Sequence, residues 1–289
     1  MTARWSIAWI RRGTGKEKMK RIMDIEPTHA IFQSDAYRED FVAFQLLESI
    51  CQGPALRISD GASFIIGAAD VSAPIWIWTR NSISRESIQD LLDVIEERFL
   101  INTQVSFVTK TTITDVLLQY LIRRRYDCFS RLQMEAYVCE RVIPPRGNVC
   151  IDHPVQSDLE EIAVCMQEFQ RDCFGEKVSI ESMRKRADVR MKNPLFFIIR
   201  QDGHVAATAQ GARETSRYIA LNQVYTRPEY RGRGYASALA AHISSCILKR
   251  GKLPMLYADR NNPFSNRAYQ SVGFVPCGKI DEIRLTMRD

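Results

Sequence analysis

The sequence predicts a mixed α/β protein built as two units, each a mixed sheet with helices packed on it. Three observations predict this. Strand-like apolar runs such as "SFIIGAA", "PIWIW" and "LFFIIR" alternate with stretches whose apolar residues recur at helical spacing. A chain of 289 residues is long enough for two ordinary domains. Between two such series, "IPPRGN" (143–148) sets two prolines and a glycine where a linker is expected. The expected organisation is a tail over 1–20, a first α/β domain over 21–145 and a second over 149–289.

In the first half, Phe41, Phe44, Leu47 and Ile50 mark a helix over 36–49. "ASFIIGAA" and "PIWIW" read as short strands, and Trp76 and Trp78, two residues apart, point to one side. A helix follows over 84–99 with Ser84 as its N-cap and Ile88, Leu91, Leu92 and Ile95 inward. "QVSFVT" is strand-like, "TDVLLQYLIRRRY" helical and "QMEAYVCERVI" strand-like again.

In the second half, "SDLEEIAVCMQEF" is a helix capped by Ser157 or Asp158, with Leu159, Ile162, Ala163, Met166 and Phe169 inward. "LFFIIRQDGHVAATAQGARE" reads as a hairpin closed at Asp202-Gly203, and "RYIALNQVYTRP" as the next strand, ended by Pro228. The order is helix, helix, strand, strand, strand, helix, strand, helix, strand.

Composition narrows the function classes. No window approaches the roughly 18 consecutive apolar residues of a membrane span, and 1–20 lacks the apolar core and cleavage site of a signal peptide. A basic tail or an upstream start is the plainer reading of those residues. The eight cysteines are scattered without a C-x-x-C pair, so neither a zinc site nor a disulfide framework is expected, and a reduced, cytoplasmic setting fits. A net charge of +6, dispersed over "RRRY" and "RKRADVRMK", points to solvated helix faces rather than a nucleic-acid surface.

The chemistry gathers at "YTRPEYRGRGYASALAAHISSCILKR" (225–250). A strand runs into Arg231-Gly232-Arg233-Gly234 and then into a helix whose apolar positions are Leu239, Ile243 and Cys246 or Ile247, closed by Lys249, Arg250 and Gly251. The first turn of a helix leaves backbone N–H groups unpartnered at the positive end of its dipole, which favours an anion. Gly232 and Gly234 keep side chains away from those amides. A tight strand-to-helix turn with solvated arginines is the alternative. A third glycine is missing for a dinucleotide fingerprint, and no Gly-Lys-Ser/Thr follows for a P-loop.

"VYTRPEYRGRGYASAL" resembles motif A of the GNAT (general control-related N-acetyltransferase) superfamily, whose Q/R-x-x-G-x-G/A is matched by Arg231-Gly232-Arg233-Gly234-Tyr235-Ala236. "MLYADRNNPFSNRAYQSVGF" resembles the family's next strand and helix, with Asn262 and Tyr269 at its Asn and Tyr positions and a Gly-Phe after them. With the surrounding pattern the resemblance covers 149–289. Read on its own, Asn262-Pro263 is an N-cap with proline at the first helical position, and Gly273 ends that helix.

The resemblance implies a GNAT fold in the second half and an N-acyltransferase that moves an acetyl group from acetyl-CoA to a small-molecule amine by direct transfer in a ternary complex. It implies that Arg231, Gly232, Arg233, Gly234, Tyr235 and Ala236 hold the coenzyme's diphosphate. Val224, Tyr225 and Thr226 would line its pantetheine arm, with Asn262, Asn266 and Tyr269 completing that contact. The Val224 N–H would polarise the thioester carbonyl and Tyr269 would protonate the departing sulfur, so no cysteine nucleophile and no metal is implied. A homodimer is left open.

The sequence departs from the family at the general base. From Tyr218 to Pro228 no carboxylate stands where many relatives carry a glutamate, and Ala220 and Asn222 hold those positions. Asn222 or Gln223 ordering a water is the first candidate, with Glu214, Glu168, Asp172 and Glu176 as carboxylates that could lean in. The gap motivates the alternative of an acyl-CoA sensor without catalysis. The first half resembles a degenerate copy of the same unit, with isolated Gly53, Gly61 and Gly67 and no phosphate loop. Trp76 and Trp78 are then either core packing or an aromatic acceptor wall.

Overall fold

The computed structural model describes residues 22–70, 73–100, 105–145, 147 and 149–286. The tail expected over 1–20 lies outside them. The chain divides into two compact units, one running to Ala136 and resuming at Cys277, the other spanning Tyr137–Pro276.

In chain order the first unit carries β1 (Met23–Asp24), α1 (Asp35–Glu39), α2 (Phe41–Gln52), β2 (Leu56–Ser59), β3 (Phe64–Ala68), β4 (Ile75–Thr79), α3 (Arg85–Arg98), β5 (Ser106–Lys110), α4 (Thr111–Arg123) and β6 (Asp127–Val138). The second carries α5 (Leu159–Phe174), α6 (Ile180–Met191), β7 (Phe196–Gln201), β8 (His204–Ala212), β9 (Tyr218–Thr226), α7 (Tyr235–Lys249), β10 (Leu253–Asp259) and α8 (Pro263–Ser271), and the chain ends in β11 (Val275–Thr286). From α1 and from α5 onward the two series repeat the order helix, helix, three strands, helix, strand, helix, strand.

In the first unit β1, β2, β3 and β4 pair antiparallel in sequence, and β4 pairs parallel with β5. The other edge of β5 is taken by β11, antiparallel, with Ile280 opposite Lys110 and Arg284 opposite Ser106. Residues 277–286 therefore belong with the first unit, whereas the sequence grouped them with the second. Ile283 and Leu285 explain this, because they are buried with Phe64, Ile77, Leu91, Ile95 and Phe107 in the first unit's core. Each side chain so buried contributes about 1.5–3 kcal/mol of transfer free energy.

Trp76 and Trp78 are interior residues. The Trp78 indole N–H donates to Asp40 Oδ2 at 2.8 Å, and its ring meets the edge of Tyr37 at 5.2 Å. They are core packing. Gly67 lies where α2 crosses β3, and a Cβ there would stand 2.4 Å from Leu47 Cδ1. The helix expected over 36–49 is broken at Asp40 into α1 and α2.

In the second unit the β7–β8 hairpin turns on Asp202 and Gly203, both left-handed at φ 53 and 82, as a two-residue turn between twisted strands requires. β9 pairs antiparallel with β8 and parallel with β10. One face of this sheet packs on α7 through Ile219, Leu221, Leu239 and Ile243; the other packs on α5 and α6 through Tyr225, Ile198, Ile162 and Met183. Those two layers hold β9 from both sides, and the chemistry of the unit is concentrated at its C-terminal end.

Candidate active site

β9 is irregular where the site forms. Its register with β8 runs Ala212↔Ala220 to Gln210↔Asn222 and resumes at Thr208↔Tyr225, so Gln223 and Val224 together oppose one residue. This is a β-bulge, and Gln223 adopts φ 51, left-handed for a non-glycine residue. The extra residue shifts the alternation: Ile219 and Leu221 face α7 before the bulge, and Val224 faces it after. Tyr225 consequently faces α5.

β9 and β10 are paired only at Leu253↔Tyr218, Pro254↔Ile219 and Met255↔Ala220. Beyond Ala220 the register ends although both strands continue, leaving a gap in the ladder between them. The Arg227 N–H donates to Ala206 O on β8 at 3.0 Å. Amides alternate sides along a strand, so the Tyr225 N–H also points to β8, while those of Val224 and Thr226 point into the gap.

The strand leads through a single 3-10 turn (Pro228–Tyr230) to the loop and α7. Gly232 and Gly234 have φ 79 and 78, and a Cβ at either would meet nothing within 4 Å. The glycines are required by backbone conformation, and the space beside them is open. Gly234 is the N-cap of α7 and offers no side-chain acceptor. Among the described residues the amides of 232–237 have no hydrogen-bond partner. A row of unpartnered donors at a helix N-terminus is a cradle for an oxyanion.

The arginines divide their tasks. Arg231 is held: its Nε donates to Thr226 O at 3.1 Å and its Nη2 to Asp172 Oδ2 at 2.9 Å, with the guanidinium 5.7 Å from the Tyr225 ring centre. Arg233 lies over the Tyr230 ring at 5.5 Å and is exposed. The Tyr225 hydroxyl donates to Asp172 at 2.9 Å. Burial works against the Asp172 charge, but the hydrogen bonds from Tyr225, Arg171 and Arg231 outweigh it and hold the carboxyl below the usual carboxylate range. Tyr235 turns its side chain inward to Gln201 Oε1 at 2.8 Å, leaving only its amide to the cradle.

α8 begins as read from the sequence. Asn262 Oδ1 accepts from the Ser265 N–H at 3.1 Å and Pro263 opens the helix. Asn266 is engaged on both sides of its amide, donating to Asp259 O at 2.9 Å and Asn262 O at 2.8 Å and accepting from the Tyr137 hydroxyl at 3.0 Å. Tyr269 is buried against Phe274 in the cluster that Val224 also touches. Its hydroxyl has no hydrogen-bond partner among the described residues. Burial, then the neighbouring Cys173, push its pKa up from the ordinary phenol value.

The carboxylate candidates separate. Glu214 is paired with Lys252 at 2.7 Å, and Asp172 is committed to Tyr225 and Arg231. Glu168 is different: its Oε2 is sealed from solvent without a hydrogen-bond partner, 3.8 Å from Arg227 Nε. Arg227 also faces Glu161 at 4.0 Å and Glu229 at 3.1 Å, and Thr226 Oγ1 and Gln223 Oε1 are likewise buried and unpartnered. The sequence reading missed Arg227, which nothing but its place after the strand could have marked. Asn222 sits half-buried opposite Gln210. The Cys173 thiol is pushed up to about 11 by burial and then by Asp172, so it is not a thiolate at neutral pH.

Among the described residues no group of three or more His, Cys, Asp or Glu is placed to hold a metal ion, and no helix is long and apolar enough to cross a membrane.

Comparison with known proteins bears on the same segment. Residues 163–274 match the Acetyltransferase (GNAT) family. No curated protein gives a significant sequence match. Among solved structures, a GCN5-related N-acetyltransferase from Sphaerobacter thermophilus superposes with TM-score 0.57 at 16% identity, over 92% of this chain and 95% of its own. An acetyltransferase of the GNAT family from Colwellia psychrerythraea gives 0.55 at 11% identity, over 92% and 99%. A Drosophila protein gives 0.62 at 12% identity, over 92% and 98%. At such identities the likeness is one of fold, and it extends through both halves of the chain.

Proposed function

From the premise that residues 163–274 form a GNAT-family domain, we propose that this protein is an N-acyltransferase that moves an acetyl group from acetyl-CoA to an amine acceptor. The observation that carries the reading is the run of unpartnered amides over 232–237 next to a split between β9 and β10. The donor set fits a diphosphate, since the amides are bare, the glycines leave room and Arg233 is free to add charge. The thioester supplies an activated acyl group when bound.

In this proposal the Gly232–Ala236 amides, with Arg231 and Arg233, bind the diphosphate, and Arg231 also braces the loop against Asp172 on α5. The edge of Val224, Tyr225 and Thr226 pairs with the amide groups of the pantetheine arm as an added strand would. The Val224 N–H, directed into the gap by the bulge, donates to the carbonyl oxygen where negative charge develops. Tyr269, a phenol protonated at neutral pH, delivers its proton to the departing sulfur. Asn262 and Asn266 fix α8 and thereby the Tyr269 hydroxyl. A water ordered by Asn222 takes the proton of the acceptor amine, with Glu168 the carboxylate best placed to receive it. The first unit stabilises the fold, the setting is cytoplasmic, and the acceptor is a small amine.

The absence of a carboxylate from Tyr218 to Pro228 favours a second reading, an acyl-CoA sensor. One experiment separates them. Tyr269→Phe is expected to lower the rate of thiol release on an amine panel about 100-fold while coenzyme A affinity stays within about twofold. Wild-type protein that binds coenzyme A but releases no thiol above hydrolysis establishes the sensor instead.

A further inference from the structure

The last turn of α6 carries a half-buried arginine that no described residue pairs with. Arg190 Nη1 is sealed from solvent and has no hydrogen-bond partner among the described residues. Arg186 lies one turn earlier on the same face of the helix. Arg213 stands just beyond the end of β8, in a left-handed conformation at φ 53. The two segments are tied together: the Asn193 side chain donates to Gly211 O at 2.8 Å, the Gly211 N–H donates to Leu195 O at 2.9 Å, and the Asn193 N–H donates to Arg190 O at 2.9 Å.

None of these three arginines makes an ion pair or side-chain hydrogen bond with a described residue. Other basic residues along this helix do. Arg184 is bound to Glu160 and Glu181, Lys185 to Glu181 and Lys192 to Asp188. Burial, then the charges of Arg186 and Arg213, hold the Arg190 guanidinium below its ordinary pKa. The helix C-terminus attracts a cation, but that attraction is small, and partial burial of an unpaired guanidinium works against it. Two further cations act in the same direction.

We propose that Arg186, Arg190 and Arg213 form an anion site that takes a phosphate-bearing ligand. Three guanidinium groups suit a phosphate, which offers three acceptor oxygens and nearly two charges at neutral pH. The site is distinct from the α7 cradle. Arg213 follows the end of β8 that pairs with Ala220, and the loop follows Thr226, so about 20 Å of strand separates them. The proposal is independent of the acyltransferase reading.

The test is equilibrium binding of inorganic phosphate to the full chain at constant low ionic strength. Wild type is expected to show a saturable site that Arg190→Met abolishes or weakens at least tenfold, the loss of a charge-assisted hydrogen bond. Arg186→Gln and Arg213→Gln, both at exposed positions, should each weaken it about threefold to tenfold, and they decide the matter if Arg190→Met fails to fold. Gly232→Val with Gly234→Val should leave this site intact and remove only a second phosphate site, if the cradle provides one. No saturable binding in wild type, or binding unchanged in all three arginine variants, overturns the proposal whatever becomes of the cradle.

Discussion

The two units repeat one order of elements but treat the same junction in opposite ways. In the first, β4 leads to α3, whose N-cap Ser84 accepts the Ser87 N–H at 3.1 Å, so the helix answers its own orphan donor. In the second, β9 leads to α7, capped by Gly234 with no side-chain acceptor. The neighbouring strand pairs each hold three registered positions but are flanked differently. Beside β4 and β5 the buried Lys110 is ion-paired with Asp40 and donates to Asn81 Oδ1 at 2.8 Å. Between β9 and β10 the register ends at Ala220 and amides are left pointing into space. The contrast teaches that the second unit keeps backbone donors unpartnered at the junction where the first answers one with a side chain.

The largest effect that would break this contrast is expected at the glycines. Gly232→Val with Gly234→Val forces β-branched residues to φ 79 and 78, at about 1–2 kcal/mol each, and fills the space beside the amides. Titration calorimetry should show coenzyme A affinity falling at least 30-fold, about 2 kcal/mol. The matching change in the first unit, Ser84→Ala, should cost about 1 kcal/mol of stability and leave coenzyme A affinity unaltered. Loss of binding from Ser84→Ala would mean that the first unit takes part in coenzyme binding.

Next in size is the Lys110–Asp40 pair. Lys110→Met leaves Asp40 without its cation beside the Trp78 indole, and breaking a buried pair on one side costs about 3 kcal/mol. Denaturant unfolding should show that loss with the coenzyme site unaffected. A neutral result would show that Lys110 is dispensable and that this part of the first unit rests on apolar packing alone.

The smallest effect concerns pH. Asp172 has a folded pKa below its unfolded one, so its contribution is present above the ordinary carboxylate pKa and is lost as pH falls through the lower folded value. Coenzyme A affinity should therefore weaken in acid as the Arg231–Asp172 brace is released, and Asp172→Asn should be weaker at neutral pH and flatter below it. An unchanged acid limb in the variant assigns that pH dependence to another group.

Much of this was legible in the sequence because local signals carried it. Ser84, Asp202-Gly203 and Asn262-Pro263 each act within three or four residues, and all three sit where their caps and turns require. Gly232 and Gly234 were legible for the same reason. What was not legible depends on partners remote in sequence. The pattern of 275–286 says strand, but not that it pairs with Ser106–Lys110. The bulge at Gln223 and Val224 leaves no mark in composition, since a glutamine in a left-handed conformation looks like any other, and it moves Val224 and Tyr225 to faces that simple alternation would not assign. The closeness of Glu168 to Arg227 needs α5 and β9 in one frame.

The most direct measurement is a set of backbone amide chemical shifts recorded as coenzyme A is added. The account predicts that Gly232 through Ser237 show the largest perturbations, with Val224 among them, while the amides of residues 85–88 at the start of α3 stay in place. Perturbations confined to the first unit, or a response in which residues 232–237 do not move, would contradict it.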